Sequence, residues 1–276
     1  MNAPLVLWCD GAHDAGENMR RDAALLATAG PGRPAVLRLF GFAPPGITLG
    51  ASQRPERELD LARCRADGIG WAVRPTGGRA IFHAEEWTYA LAAALDDAHW
   101  GGSLAVAYDR MTAVLVASLN ALGVPAQRAA APAGAVERPR RTDGPAAPCF
   151  ASTTRHEVVL EGRKLVGSAQ RRTATALLQQ GSLLLGTGHR RLADYLALPD
   201  AARERARWRL AQVAADAGEV LGSDAPLERW ADALMRVLPA GTRRVNGSSS
   251  LTLSESAPYT AATEACTGPG DSRCPG

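Results

Sequence analysis

The sequence is short of several features that would place it at once. Its five cysteines, at positions 9, 64, 149, 266 and 274, form no CxxC pair and no Cys/His spacing of the zinc type. That argues against a zinc module or a disulfide-framed fold and makes reduced thiols the default, with no metal expected. No stretch approaches the roughly 18 consecutive apolar residues that a membrane span requires. The N-terminus, MNAPLVLWCDGAHDAGENM, has no basic leader region, and its apolar run from Pro4 to Trp8 is cut at Asp10, so it is not built like a signal peptide. A cytoplasmic protein is expected. Net charge is only +3, far from the Lys/Arg excess of a surface that neutralises many phosphates, so neither nucleic acid nor membrane is an expected partner.

What is present is ordinary for a soluble globular chain: 276 residues, 46% hydrophobic and 21% charged. That length buries a substantial core, and one main domain is expected over residues 1–239. The Gly/Ser/Thr-rich remainder, 240–276, reads as a poorly ordered tail. Asp14 to Thr28 reads as a helix stopped at Gly30-Pro31-Gly32. Ala35 to Phe40, Ile47 to Gly50 and Ile69 to Arg74 read as strands. Glu85 to Asp97 is predicted to be helical. Tyr108, Met111, Leu115, Leu119 and Leu122 mark an amphipathic helix that Gly123 and Pro125 stop. Ala126 to Pro148 lacks periodicity and reads as a long loop that delivers the chain to Cys149. His156 to Leu160 and Lys164 to Ser168 flank Glu161-Gly162-Arg163 as a hairpin, Leu177 to Leu185 adds strand, and Leu192 to Leu238 turns helical. Strands interleaved irregularly with helices indicate an α+β or mixed α/β domain, with no regular doubly wound sheet.

Two segments put glycines beside cations: Arg74-Pro75-Thr76-Gly77-Gly78-Arg79-Ala80-Ile81-Phe82-His83 and Gly162-Arg163-Lys164-Leu165-Val166-Gly167-Ser168-Ala169-Gln170. A glycine pair allows close backbone approach to a ligand and aims N–H groups at an oxygen, while Arg74 and Arg79 supply charge at either end. The same residues also suit a plain turn between strands. A lone thiol is most often a small buried hydrophobe, which is the reading given to Cys9 and Cys64. Cys266 and Cys274 lie in the tail.

Together these residues resemble the lipoyl/octanoyl transferases and lipoate-protein ligases, which share a catalytic domain with biotin protein ligases. The resemblance runs over roughly residues 5 to 198. It rests on Glu17-Asn18-Met19 with Asp22, Pro44-Pro45 with Leu49-Gly50 and Gln53, RPTGGRAIFH, Cys149-Phe150, Glu157, EGRKLVGSAQRR and Leu178-Gln179-Gln180-Gly181-Ser182, in that order. It implies a mixed sheet flanked by helices, with an acyl chain bound beside the glycine pair and the lysine hairpin. In the cysteine-dependent octanoyltransferase branch, the Cys of the Cys-Phe pair carries the acyl group as a thioester and the Lys of the Gly-Arg-Lys segment stands beside it. Here these are Cys149 and Lys164. Arg74, Gly77, Gly78, Arg79, His83, Gly167, Ser168 and Ala169 are the implied substrate-binding set.

The implied reaction moves an octanoyl group from acyl carrier protein to a lysine of a lipoyl carrier domain, whether the glycine-cleavage carrier or a dehydrogenase subunit, in a monomer that needs no cofactor. A nearby ammonium favours the thiolate, so the two residue types make chemical sense together. Backbone N–H groups near Gly77-Gly78 or Gly167-Ser168 are candidates for holding the tetrahedral oxyanion. Arg138, Arg140 and Arg141 form a basic run suited to steering acidic carriers. The branch usually has Asp where this chain has Ala84 and Ala151, and often His where it has Gln180. Two rival readings share the fold: an ATP-dependent lipoate-protein ligase, which needs no cysteine, and a non-catalytic carrier-binding protein.

Overall fold

The computed structural model describes residues 5–129 and 157–247, together with the backbone of 263–264. The larger sheet has the strand order β11-β1-β2-β6-β10-β9-β8-β7. Its strands are β1 (Val6–His13), β2 (Val36–Phe42), β6 (Glu86–Ala94), β7 (Gln127–Arg128), β8 (Val158–Leu160), β9 (Arg163–Arg172), β10 (Ala176–Leu184) and β11 (Arg243–Asn246). The smaller sheet, β12-β4-β3-β5, is built from β3 (Gly46–Leu49), β4 (Gly70–Val73), β5 (Ile81–His83) and β12 (Thr263–Glu264). The helices are α1 (Ala15–Thr28), α2 (Pro55–Glu58), α3 (Leu61–Ala66), α4 (Leu104–Ala121), α5 (Leu192–Tyr195), α6 (Asp200–Val213), α7 (Gly218–Leu221) and α8 (Leu227–Val237). Parallel and antiparallel pairs occur in both sheets, so the expected mixed sheet flanked by helices is what forms.

Period-two alternation sorts the strand residues between two cores. Leu5, Leu7, Leu37, Leu39, Tyr89 and Leu91 face α4 and α8, against Met111, Leu115, Leu119, Trp230 and Leu234. Trp8, Phe40, Ala90, Ala92 and Leu178 face the other way, onto Leu25 and Leu26 of α1. Asp14 caps α1 by accepting from the Glu17 N–H at 2.8 Å, and Ser103 caps α4 through the Val106 N–H. The smaller sheet turns Ile47, Leu49, Trp71 and Phe82 onto a third core with Leu192, Tyr195 and Leu210.

Two expectations need correction. The segment 85–97, expected to be helical, is instead the central strand β6, paired with β2 on one side and β10 on the other. Both faces of β6 are buried, so from Tyr89 to Ala94 it carries an apolar, alanine-rich run in place of alternation. Such a run has high helix propensity and is told from a helix only by its neighbours. The segment from 240, expected to be poorly ordered, carries a strand among its described residues: Arg243–Asn246 pairs in parallel with Val6–Cys9, and the Trp8 indole donates to the Gly247 carbonyl at 3.0 Å. Most of the loop 126–148 and most of the tail lie outside the described residues. No helix among the described residues is long and apolar enough to cross a membrane.

Candidate active site

A cleft of about 370 Å³, open to solvent, lies between the α1 face of the larger sheet and one face of the smaller. Gly167, Ser168 and Ala169 of β9 and Gln180, Gly181 and Ser182 of β10 line one wall. Met19 of α1, Phe42, Thr48, Ile81, His83 and Thr88 line the rest, with Arg74 and Thr76 from the segment after β4. Of the expected binding set, Arg74, His83, Gly167, Ser168 and Ala169 therefore meet in one cleft. Gly77, Gly78 and Arg79 are not among its lining residues.

Arg74 is largely committed to backbone. Its guanidinium donates to the Gly77 carbonyl (2.8 Å from Nη2) and the Arg79 carbonyl (2.8 Å), and Nη1 reaches the Thr48 carbonyl (3.2 Å) and hydroxyl (3.3 Å). The residue is 4% exposed, so in this arrangement it staples the glycine segment to β3. Gly50 lets that segment close down, because a Cβ there would lie 2.0 Å from the Gly78 oxygen. Gly78 has φ of +96°, a conformation that glycine adopts without strain.

Beneath the cleft is a buried charge network in which Arg38 and Asp10 join the motif residues Asn18, Asp22 and Gln180. Arg38, on β2, donates through Nε to Asp10 (2.8 Å), through Nη1 to Asp22 (2.6 Å) and through Nη2 to the Asn18 side-chain oxygen (2.7 Å). The Arg38, Asp10 and Asp22 side chains are wholly buried. Burial pushes the Asp22 carboxyl up, against the opposing pull of the Arg38 guanidinium. Asp22 also accepts from the Gln180 amide at 2.5 Å, and the Gln180 oxygen accepts from Thr76 at 2.6 Å. Gln180 thus ties the helix side of the cleft to the residue just before the glycine pair. Beside those motif residues, the composition signal for this network is Arg38 itself, a cation inside the apolar strand VLRLFGF, which has to be paired to be buried.

Lys164 and Glu157 form an ion pair, with side-chain exposures of 3% and 6%. Lys164 is also the only lysine in the sequence; every other member of the 31 Lys plus Arg residues is arginine. A β-bulge aims it. Val158 pairs with Val166 but Val159 pairs with Lys164, so Leu165 is the extra residue. Leu165 and Val166 both enter the core beneath α4 and α8, which leaves Lys164 and Gly167 on the opposite, cleft-side face. Lys164 is three positions from Gly167, about 10 Å along the strand. The Glu161-Gly162 turn of this hairpin has φ of +51° and +75°, as a tight two-residue hairpin turn demands. Cys149, Ala151 and Arg138, Arg140 and Arg141 lie outside the described residues, whereas Cys9 and Cys64 are buried.

Residues 14–238 match the lipoyl protein ligase A/B catalytic domain. The chain belongs to that family. Octanoyltransferase LipM of Kyrpidia tusciae is 36% identical to it over 236 residues, covering 81% of this chain and 82% of that protein. Octanoyltransferase LipM of Moorella thermoacetica is 36% identical over 214 residues, covering 77% of each. Among solved structures, a lipoate-protein ligase A bound with ATP matches with a TM-score of 0.65 at 20% identity over 90% of both chains. The bipartite lipoate protein ligase of Thermoplasma acidophilum matches with a TM-score of 0.67 at 19% identity over 90% of this chain and 89% of that one. At that identity the two structures speak for the fold, and they agree with the sheet and helices described above. This chain's lysine-bearing hairpin lies on β8–β9, and its RPTGG segment on the arm between β4 and β5. Among the described residues, no group of three or more His, Cys, Asp or Glu side chains is arranged to hold a metal ion.

Proposed function

We propose that this chain is an octanoyltransferase, moving an octanoyl group from acyl carrier protein to a lysine of a lipoyl carrier domain through a thioester on Cys149. The observation that carries the reading is its 36% identity, across about four-fifths of both chains, to octanoyltransferase LipM of Kyrpidia tusciae. The cleft is compatible with it: its lining residues Gly167, Ser168 and Ala169 lie on β9, the strand that also carries Lys164, although Lys164 itself does not line the cleft. Cys149 is eight residues before Glu157 in the chain, a tether of at most about 28 Å from the partner of Lys164, a length that permits the thiol to approach that amine.

The Cys149 thiolate attacks the carrier thioester, and as the tetrahedral intermediate collapses the departing pantetheine sulfur takes a proton from the Lys164 ammonium. The octanoyl group then rests on Cys149. In the second half the acceptor lysine attacks as a neutral amine, Lys164 takes up its surplus proton, and Cys149 leaves as a thiolate. The enzyme returns to its starting protonation state, so donor and acceptor exchange an acyl group for a proton with nothing left over. Lys164 serves both halves because a lysine amine can release a proton and a guanidinium cannot.

The test is incubation with octanoyl-acyl carrier protein in the absence of ATP, followed by intact mass measurement and addition of a lipoyl domain. An octanoyl adduct on the wild type, absent in Cys149→Ala and discharged by the lipoyl domain, is the expected result. Acylation that depends on ATP and free octanoate would identify a ligase. No adduct and no product from either donor would leave a carrier-binding protein.

A further inference from the structure

We propose that Glu86 is the positioning residue of the acyl cleft, fixing the tautomer of His83 and the side chains of Thr88 and Ser182. This deepens the octanoyltransferase reading, on which its functional part rests. The Glu86 side chain is 1% exposed, and one of its oxygens, Oε1, accepts from three cleft-lining groups. These are His83 Nδ1 at 2.6 Å, Thr88 Oγ1 at 2.6 Å and Ser182 Oγ at 3.1 Å. The groups come from three strands, β5, β6 and β10, so a single carboxylate oxygen ties the small sheet to the large one across the cleft wall. Oε2 is buried with no partner among the described residues, so the anchoring is concentrated on the side that faces the lining groups.

The direction of the hydrogen bonds follows from the chemistry of the two ends. Arg74 can only donate, and its Nη1 lies 3.3 Å from Thr48 Oγ1; an ionised Glu86 can only accept. Between them, Thr48 Oγ1 lies 2.7 Å from His83 Nε2. With neutral His83, one arrangement satisfies all three contacts. Arg74 donates to Thr48, the Thr48 hydroxyl donates to Nε2, and Nδ1–H donates to Glu86. A neutral His83 facing an ionised Glu86 therefore carries its proton on Nδ1. Its ring is stacked on Phe42, with centroids 3.9 Å apart and planes 9° apart, so the wall presents a ring face with both nitrogens occupied. Paired ring nitrogens suit a saturated acyl tail, because an unpaired polar atom beside the chain would lose its water with nothing in return. Removing the Glu86 acceptor leaves Nδ1–H, Thr88 and Ser182 to find other partners, which turns polar groups into the space that the tail occupies.

The experiment is nitrogen-15 NMR of ring-labelled histidines in the wild-type chain, with His83 assigned from its absence in His83→Gln, alongside octanoyl-transfer kinetics. The wild type should show His83 as the neutral Nδ1–H form. Glu86→Met, which removes the acceptor at similar size, should shift His83 away from that tautomer and raise KM for the octanoyl donor about tenfold, with kcat changed less than threefold. Glu86→Gln keeps one acceptor oxygen and should restore the tautomer and bring KM back to within about threefold. An Nε2–H or doubly protonated His83 in the wild type overturns the proposal, as does a Glu86→Met chain that folds and keeps wild-type KM. If Glu86→Met does not fold, the wild-type tautomer still decides. If the wild type transfers no octanoyl group while His83 is the Nδ1–H form, the octanoyltransferase reading fails and the hydrogen-bond assignment stands.

Discussion

Lys164 pairs across the hairpin with Val159, the position that regular pairing from Val158 and Val166 would have given to Leu165. The bulge at Leu165 turns the lysine from the core toward the cleft-side face, where it meets Glu157. The rest of the chain uses arginine for its cations, and the proposed mechanism gives the one lysine a proton-transfer role in which a guanidinium would not serve. Lys164→Arg and Lys164→Met should therefore both lower octanoyl transfer, by about 10²-fold or more, on the scale of lost acid–base catalysis. An amine-specific reagent should modify two groups in the unfolded wild type, the N-terminus and Lys164. In the folded chain Lys164 should be protected by its burial. Peptide mapping by mass spectrometry reads both outcomes, and Lys164→Arg with wild-type turnover would remove this residue from the chemistry.

Arg38 should matter for stability more than any surface cation. It is buried between Asp10 and Asp22, so Arg38→Met leaves two carboxylates in the interior without their shared counter-charge. The expected loss is about 3–5 kcal/mol, the range for breaking a buried ion pair from one side. Chemical denaturation at neutral pH measures it. Removing Asp22 as well, in Arg38→Met/Asp22→Asn, should recover part of the loss, because one of the stranded charges is gone. A double variant as unstable as the single one would show that the network does not work as a unit.

Much of this fold was legible because its periodicities are strong. The α4 face at Met111, Leu115 and Leu119, and the β8–β9 hairpin around Glu161-Gly162, both follow local rules that the tertiary structure respects. The strand β6 was not legible: Glu86 to Ala94 is buried on both faces, so it carries no alternation to mark it as a strand. That one misreading hid Glu86, since on a helix it would have been an ordinary polar first-turn residue. The glycines of RPTGG and GRKLVGS were visible by composition. What they touch was not, because Gly50 meets Gly78 and Thr76 meets Gln180 only once two distant strands are brought together.

Glu17 gives the acid limb of stability a named contributor. Hydrogen bonds and charge from Arg20 and Arg21 outweigh its partial burial and lower its pKa from 4.5 to about 2. It also lies in the first turn of α1, where the helix dipole favours a carboxylate. A depressed carboxylate stabilises the folded state above its unfolded pKa and loses that effect as pH falls through its folded value. Wild type should therefore exceed Glu17→Gln in thermal midpoint at pH 7, with the gap closing between about pH 4.5 and about pH 2. The side chain is 28% exposed, so solvent screening keeps the difference to about 1 kcal/mol or less. A gap that widened on acidification would reverse the assigned sign.

Gly50 should control the glycine segment from outside the cleft. It follows β3, is absent from the lining residues, and its backbone lies so close to Gly78 that an alanine methyl would be 2.0 Å from a carbonyl oxygen and 2.8 Å from its carbon. Neither atom is the end of a flexible side chain, so Gly50→Ala must push the segment from Thr76 to Arg79 away from β3. That movement strains the Arg74 contacts to the Gly77 and Arg79 carbonyls and the Thr76 bond to Gln180. Overpacking of this kind costs about 1–3 kcal/mol, which a well-packed domain of this size can survive. The folded variant should then show weakened octanoyl-donor binding, because Arg74 and Thr76 line the cleft and move with the segment. Gly68→Ala, at φ of +66° with no atom within 4 Å of the added methyl, should cost stability through backbone strain while leaving donor KM unchanged. If the two variants changed KM alike, close approach at Gly50 would not be what shapes the cleft.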